Sequence, residues 1–170
     1  MQRLLAAIAA VVLLLAIYLY VWTRRAGRDE PKFTTEAERV IAFARVEAQT
    51  LESAAIDSTH FLLGLLHIPI PAITRFIPLE WHDSIRQEIR DHVSGGAIVS
   101  YRDDLPFTDD ARLVLVAAAR EAKGLSSLQI GAEHLLLGLL HSEKSLAALI
   151  LRERGLRLEA LRAAYGGWEE

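Results

Sequence analysis

The sequence contains no cysteine, which excludes a disulfide framework and thiolate metal sites. It has no G-x-x-x-x-G-K-[ST] loop to cradle a nucleotide phosphate, so no ATP and no other cofactor is expected. It also lacks the H-E-x-x-H pair of a zinc hydrolase and the G-x-S-x-G turn of a serine hydrolase. Basic charge is outweighed by acidic charge beyond the N-terminus. Before Phe33 the chain carries Arg3, Arg24, Arg25, Arg28 and Lys32 against Asp29 and Glu30, a net of +3. The whole is −3, so the remainder is −6. Phosphates dominate nucleic-acid affinity and need a basic face, so no nucleic-acid partner is expected.

What is present begins with Leu4–Trp22, 19 residues without a charge. As a helix they span about 28 Å, close to the hydrocarbon core of a bilayer. Tyr18, Tyr20 and Trp22 cluster at one end, where amphipathic rings favour the lipid interface, and Arg24 and Arg25 follow. The segment is expected to be a transmembrane helix over 4–22 that contacts the lipid bilayer, followed by a basic juxtamembrane linker over 23–32. A cleaved signal peptide would need a shorter apolar core and a small-x-small site, whereas this end is aromatic and basic. Positive residues just after the span put the C-terminal domain on the cytoplasmic side of a cell membrane.

The rest is organised by an internal repeat. Phe33–His67 aligns without a gap on Phe107–His141, an offset of 74, with 17 identities in 35 positions. Each copy opens with a helix signature. Thr34 and Thr108 can N-cap, and Glu36, Asp109 and Asp110 sit in the first turn, where the helix dipole favours anions. A stripe of small apolar residues follows at helical spacing: Ala37, Val40, Ile41, Ala44 and Ala48, then Ala111, Val114, Leu115, Ala118 and Ala122. The alanines imply close helix packing. FLLGLL and LLLGLL are apolar on every face, so each predicts a short buried helix. Ser145–Arg154, stopped by Gly155, and Leu158, Leu161 and Tyr165 mark two more helices in copy two. In copy one the third helix is short, framed by Pro69, Pro71 and Pro78, and Trp81, Ile85, Ile89 and Val93 mark the fourth. Apart from a weak run over Ala97–Tyr101, no segment reads as a strand. The expected fold is all-α, about eight helices in two pseudo-symmetric four-helix halves. The halves fill 33–94 and 107–165, joined by a linker over 95–106 and followed by a flexible tail over 166–170.

The pattern FT-x-x-A, a helix, then GAEHLLLGLLH at Gly131–His141 and its drifted copy DSTHFLLGLLH at Asp57–His67 resembles the Clp-type unfoldase N-terminal domain. That domain is the double Clp repeat at the front of ClpA, ClpB and ClpC proteins. The resemblance covers about Phe33 to Tyr165. The unfoldases continue into ATPase modules, whose phosphate loop does not occur in this sequence. The resemblance therefore implies only the N-domain's own work, docking protein partners: clients, degradation tags, an adaptor or a Clp machine.

In some family members each repeat binds phosphorylated arginine, through the threonine of FT and the glutamate of the E-H pair. Carried over, this assigns Thr108 and Glu133 to copy two and Thr34 to copy one, where Thr59 stands in the glutamate's place. One competent site at most is implied. The bland alternatives are that the threonines only cap helices and that Glu133 only suits a helix start. His60 and His67, like His134 and His141, are seven apart rather than one turn apart, so they predict hydrogen bonding and no metal. Asp103–Asp104 and Asp109–Asp110 read as solvated charge. The expected function is a non-enzymatic, membrane-tethered protein-binding module. The alternatives are a self-associating membrane scaffold, or a hydrolase built on His134, Glu133 and the acidic cluster.

Overall fold

A computed structural model of the chain describes residues 32–93 and 105–166. The expected anchor, nearly all of the basic linker, the run over Ala97–Tyr101 and residues 167–170 lie outside the described residues. Among those described, no single helix is long and apolar enough to cross a membrane. The elements run β1 (Lys32–Phe33), α1 (Thr35–Thr50), α2 (Ser58–Leu65), α3 (Pro71–Thr74), a single 3-10 turn (Leu79–Trp81) and α4 (His82–Val93). The second half runs α5 (Asp109–Gly124), β2 (Gln129–Ile130), α6 (Ala132–His141), α7 (Leu146–Glu153) and α8 (Leu158–Gly166). Eight α-helices in two matching sets are therefore described.

Local chemistry sets the helix ends. Thr34 Oγ1 accepts from the Ala37 N–H at 3.2 Å, and Thr108 Oγ1 from the Ala111 N–H at 3.1 Å. At the C-termini of α1 and α5, Glu52 (φ 53°) and Ser126 (φ 56°) adopt the left-handed conformation. The next N–H in each case, Ser53 and Ser127, reaches back to Ala48 O at 2.9 Å and Ala122 O at 2.8 Å. These are Schellman closures in which a non-glycine residue bears the strain. Gly155, at φ 86°, ends α7.

The two apolar helices form the centre. Every residue of α2 is buried, as are Ala132 and His134–Leu140 of α6, and the two helices pack on each other. Burying each Leu of these helices contributes about 1.5–3 kcal/mol. Glycine lets the partner helix approach. A Cβ on Gly138 would fall 2.5 Å from Val114 O and 3.3 Å from Ala118 Cβ, and Gly64 meets Val40 and Ala44 of α1 in the same way. The alanine stripe thus faces glycine on each central helix.

The repeats also exchange short extended segments, for which the sequence carries no strand signal. β1 pairs in parallel with β2, Lys32 opposite Gln129 and Phe33 opposite Ile130. The duplicate positions form the bridge Ile56–Phe107, also parallel. The segment before α1 therefore lies beside the start of α6, and the segment before α5 beside the start of α2. Two-residue pairs are too short for side-chain alternation to betray them.

Candidate functional site

The strand exchange decides which residues meet. The Thr34 N–H donates to Ile130 O at 2.9 Å, setting the N-terminus of α1 against that of α6, one repeat away. An open cleft of about 580 Å³ lies there. Thr34, Glu36 and Arg39 line it from α1, Ala132 and Glu133 from α6, and Ile68–Pro69–Ile70–Pro71–Ala72 form an apolar wall. A second cavity of about 320 Å³ adjoins it, sharing Ala72 and Glu133 and adding Leu125, Ser127, His134 and Tyr165. The Tyr165 hydroxyl donates to Ala72 O at 2.7 Å, and its ring meets Phe76 edge-on at 5.2 Å. Burial and the negative charge of Glu133 raise that phenol's pKa, outweighing Arg75.

This arrangement corrects the pairing expected within each repeat. Thr34 of copy one joins Glu133 of copy two, so the threonine and the glutamate come from different repeats. Thr108 goes instead to the start of α2, its N–H donating to Ile56 O at 2.9 Å. Thr59 is buried there, and its hydroxyl donates to Asp57 Oδ1 at 2.5 Å. Burial alone would raise the Asp57 pKa, but hydrogen bonds from His60 and Thr59 bring it down to about 2. The Ser142 hydroxyl donates to the Asp110 carboxylate, tying the loop after α6 to the first turn of α5. At the duplicate positions, Ile68 and Glu36 line the open cleft instead.

Charge inside the cleft is mixed. Glu36 and Arg39 are exposed, and neither has an ion pair among the described residues. Arg39 and the Ile68–Ala72 wall escape a reading by duplication, because their counterparts are Leu113 and Ser142–Leu146. The available hint is a cation one turn after the cap together with a proline-stiffened loop.

The repeated histidines have two structural roles. His134 Nδ1 accepts the Gly131 N–H at 2.8 Å, and His60 Nδ1 accepts the Asp57 N–H at 3.0 Å. Burial keeps His134 below the ordinary imidazole range, against the pull of Glu133 and Glu121. The other pair joins Glu–His–Arg clusters. Glu121 is engaged by Arg162 through Nε at 2.8 Å and Nη2 at 2.5 Å, and by His141 Nε2 at 2.5 Å. Its duplicate Glu47 meets Arg86 at 2.8 Å and His67 at 3.5 Å. The Arg162 hydrogen bonds, against burial, hold the Glu121 carboxyl down to about 2. Among the described residues no group of three or more His, Asp or Glu side chains converges as a metal site would require.

Residues 106–167 match the family described as the Clp repeat (R) N-terminal domain. A probable ATP-dependent Clp protease ATP-binding subunit of Chlamydia pneumoniae is 33% identical over 123 residues, covering 71% of this chain and 14% of the relative. The Bacillus subtilis (strain 168) negative regulator of genetic competence ClpC/MecB is 29% identical over 133 residues, covering 77% and 16%. The chain thus spans about one-seventh of the length of such relatives. Among solved structures, the N-terminal domain of the chaperone ClpD from Arabidopsis thaliana superposes with a TM-score of 0.64 at 25% identity, covering 79% of this chain and 92% of that one. The Hsp104 N-terminal domain of Candida albicans shares the fold, with a TM-score of 0.59 at 19% identity.

Proposed function

Because this chain carries a double Clp-type N-terminal domain, we propose that it is a non-catalytic, membrane-tethered module that docks proteins through the cleft between α1 and α6. The observation that carries this reading is the convergence of Thr34, Arg39 and Glu133 from two repeats in one open cleft. A carboxylate pairs with a guanidinium, while a cation beside a helix N-terminus suits a phosphate. Phosphoarginine on a client protein presents both groups on one side chain. The Ile68–Ala72 wall offers apolar contact to flanking residues. At the opposite end, with Thr108, Thr59 and Asp57, the Asp57 Oδ1 is engaged in capping its own helix.

The tether is Leu4–Trp22, and the positive charge after it puts the domain on the cytoplasmic side. There the module gathers clients or an adaptor at the membrane for a separate Clp machine. Calorimetric titration of the full chain in detergent micelles with phosphoarginine tests the site. Binding near one equivalent, weakened about tenfold or more in Glu133→Gln, is expected for loss of a charge-assisted pair. Absence of heat, or a Glu133→Gln variant that binds unchanged, refutes it. Reporter fusions at either end of the chain test the orientation.

A further inference from the structure

The two helix starts facing the repeat exchange place their carboxylate at different positions. α6 begins Gly131–Ala132–Glu133–His134, and its duplicate α2 begins Asp57–Ser58–Thr59–His60. The histidine holds the first residue's N–H in both. The source of the carboxylate is what changes. Asp57 supplies it from the cap position, where Oδ1 accepts from the Thr59 N–H at 2.8 Å, the Thr59 hydroxyl at 2.5 Å and the His60 N–H at 3.3 Å. That carboxylate is engaged by its own helix.

Glu133 supplies it two residues later and folds back over Gly131. A Cβ on Gly131 would fall 2.5 Å from Glu133 Cδ, closer than carbon atoms can approach. The backbone there (φ −91°, ψ 176°) is one that any residue adopts, so conformation does not require the glycine. Its missing side chain leaves a notch, and the Glu133 carboxylate lies in it. Among the described residues no hydrogen-bond donor engages that carboxylate. His134 Nδ1, 3.2 Å away, is already accepting from the Gly131 N–H.

We infer that Gly131 is a positioning residue of the cleft: its empty side-chain place holds the Glu133 carboxylate, unengaged, at the cleft wall. A side chain at 131 pushes the carboxylate out. An aspartate there, as at position 57, caps the helix instead. The Gly/Glu to Asp/Thr exchange turns a carboxylate available to a cationic group at one end of the domain into a helix cap at the other. This role deepens the reading of the cleft as the binding site and rests on it for its ligand.

The test uses the full chain in detergent micelles with Gly131→Ala, Gly131→Asp and Glu133→Gln, and phosphoarginine as the probe. Gly131→Ala is expected to weaken binding about tenfold with Tm little changed. Gly131→Asp is expected to bind as poorly as Glu133→Gln without a lower Tm, because it restores a cap. An NMR titration of the His134 imidazole reads the carboxylate's position without any ligand. The neighbouring Glu133 charge favours the imidazolium, and Glu121 is the other carboxylate acting on it. Displacing Glu133 lowers the His134 midpoint, so Gly131→Ala should move it the same way as Glu133→Gln. Unchanged affinity and an unchanged midpoint in Gly131→Ala overturn the role of the notch. If the wild-type chain takes no phosphoarginine, the proposed function fails, and a midpoint unmoved by Gly131→Ala then overturns the notch separately.

Discussion

Replacing Gly138 by alanine sets two well-known effects against each other. In an ordinary helix interior the change stabilises by up to about 1 kcal/mol, through helix propensity. Here the new methyl lies 2.5 Å from Val114 O and 3.1 Å from Ala118 N, both backbone atoms of α5. A carbon–oxygen contact normally needs about 3.3 Å or more, so the shortfall is close to 0.8 Å. Backbone inside a helix cannot rotate aside, so α5 and α6 must separate along a seam whose alanines are fully buried. Overpacking of this kind costs about 1–3 kcal/mol, and the rigid neighbours put it at the upper end. The net loss is about 2 kcal/mol, or roughly 6–10 °C in Tm for a domain of this size. Gly124→Ala is the control. Its Cβ meets nothing within 4 Å, so Tm should hold or rise slightly. Calorimetric and urea melts of the two variants beside wild type decide the matter. A Gly138→Ala variant as stable as Gly124→Ala would refute the close approach of the two helices.

The Glu121 carboxyl is held at about 2 when folded, against 4.5 for a free glutamate. Between those values the unfolded chain binds more protons, so stability is full above about pH 4.5 and falls as pH drops toward 2. The loss should be on the order of 2 kcal/mol, given the solvent around Arg162, and Glu121→Gln should flatten that part of a pH series of urea melts. Tyr165→Phe removes the hydroxyl donated to Ala72 O and should cost about 1 kcal/mol in denaturant unfolding, with m unchanged. Glu52→Gly relieves a left-handed residue at the end of α1 and should raise stability by about 0.5–1 kcal/mol; a lower Tm would contradict the backbone assignment.

The helices, their caps and the duplication are legible in the sequence because each rests on local chemistry. Helical spacing of Val40, Ala44 and Ala48 marks a buried stripe, a threonine before an acidic turn marks a start, and Gly155 marks a stop. The apolar runs around Gly64 and Gly138 announce central helices for the same reason: a segment apolar on every face has to be surrounded. The Glu–His–Arg clusters are only half legible. Glu47 and Glu121, like His67 and His141, recur at the repeat offset, whereas Arg86 and Arg162 lie beyond the ungapped match.

What tertiary structure alone decided is which threonine shares a cleft with Glu133. Duplicated segments are alike by construction, so similarity cannot tell pairing within a repeat from pairing across it. The choice was made by one two-residue parallel pair, which sets Phe33 against Ile130, and one single bridge, Phe107 with Ile56, whose backbone hydrogen bonds carry almost no side-chain signature. The same exchange brings Arg39 and the proline-stiffened wall to the cleft. Gly131 acquires its meaning there too, since a missing side chain matters only for what fills its place, and that filling is fixed by three-dimensional packing.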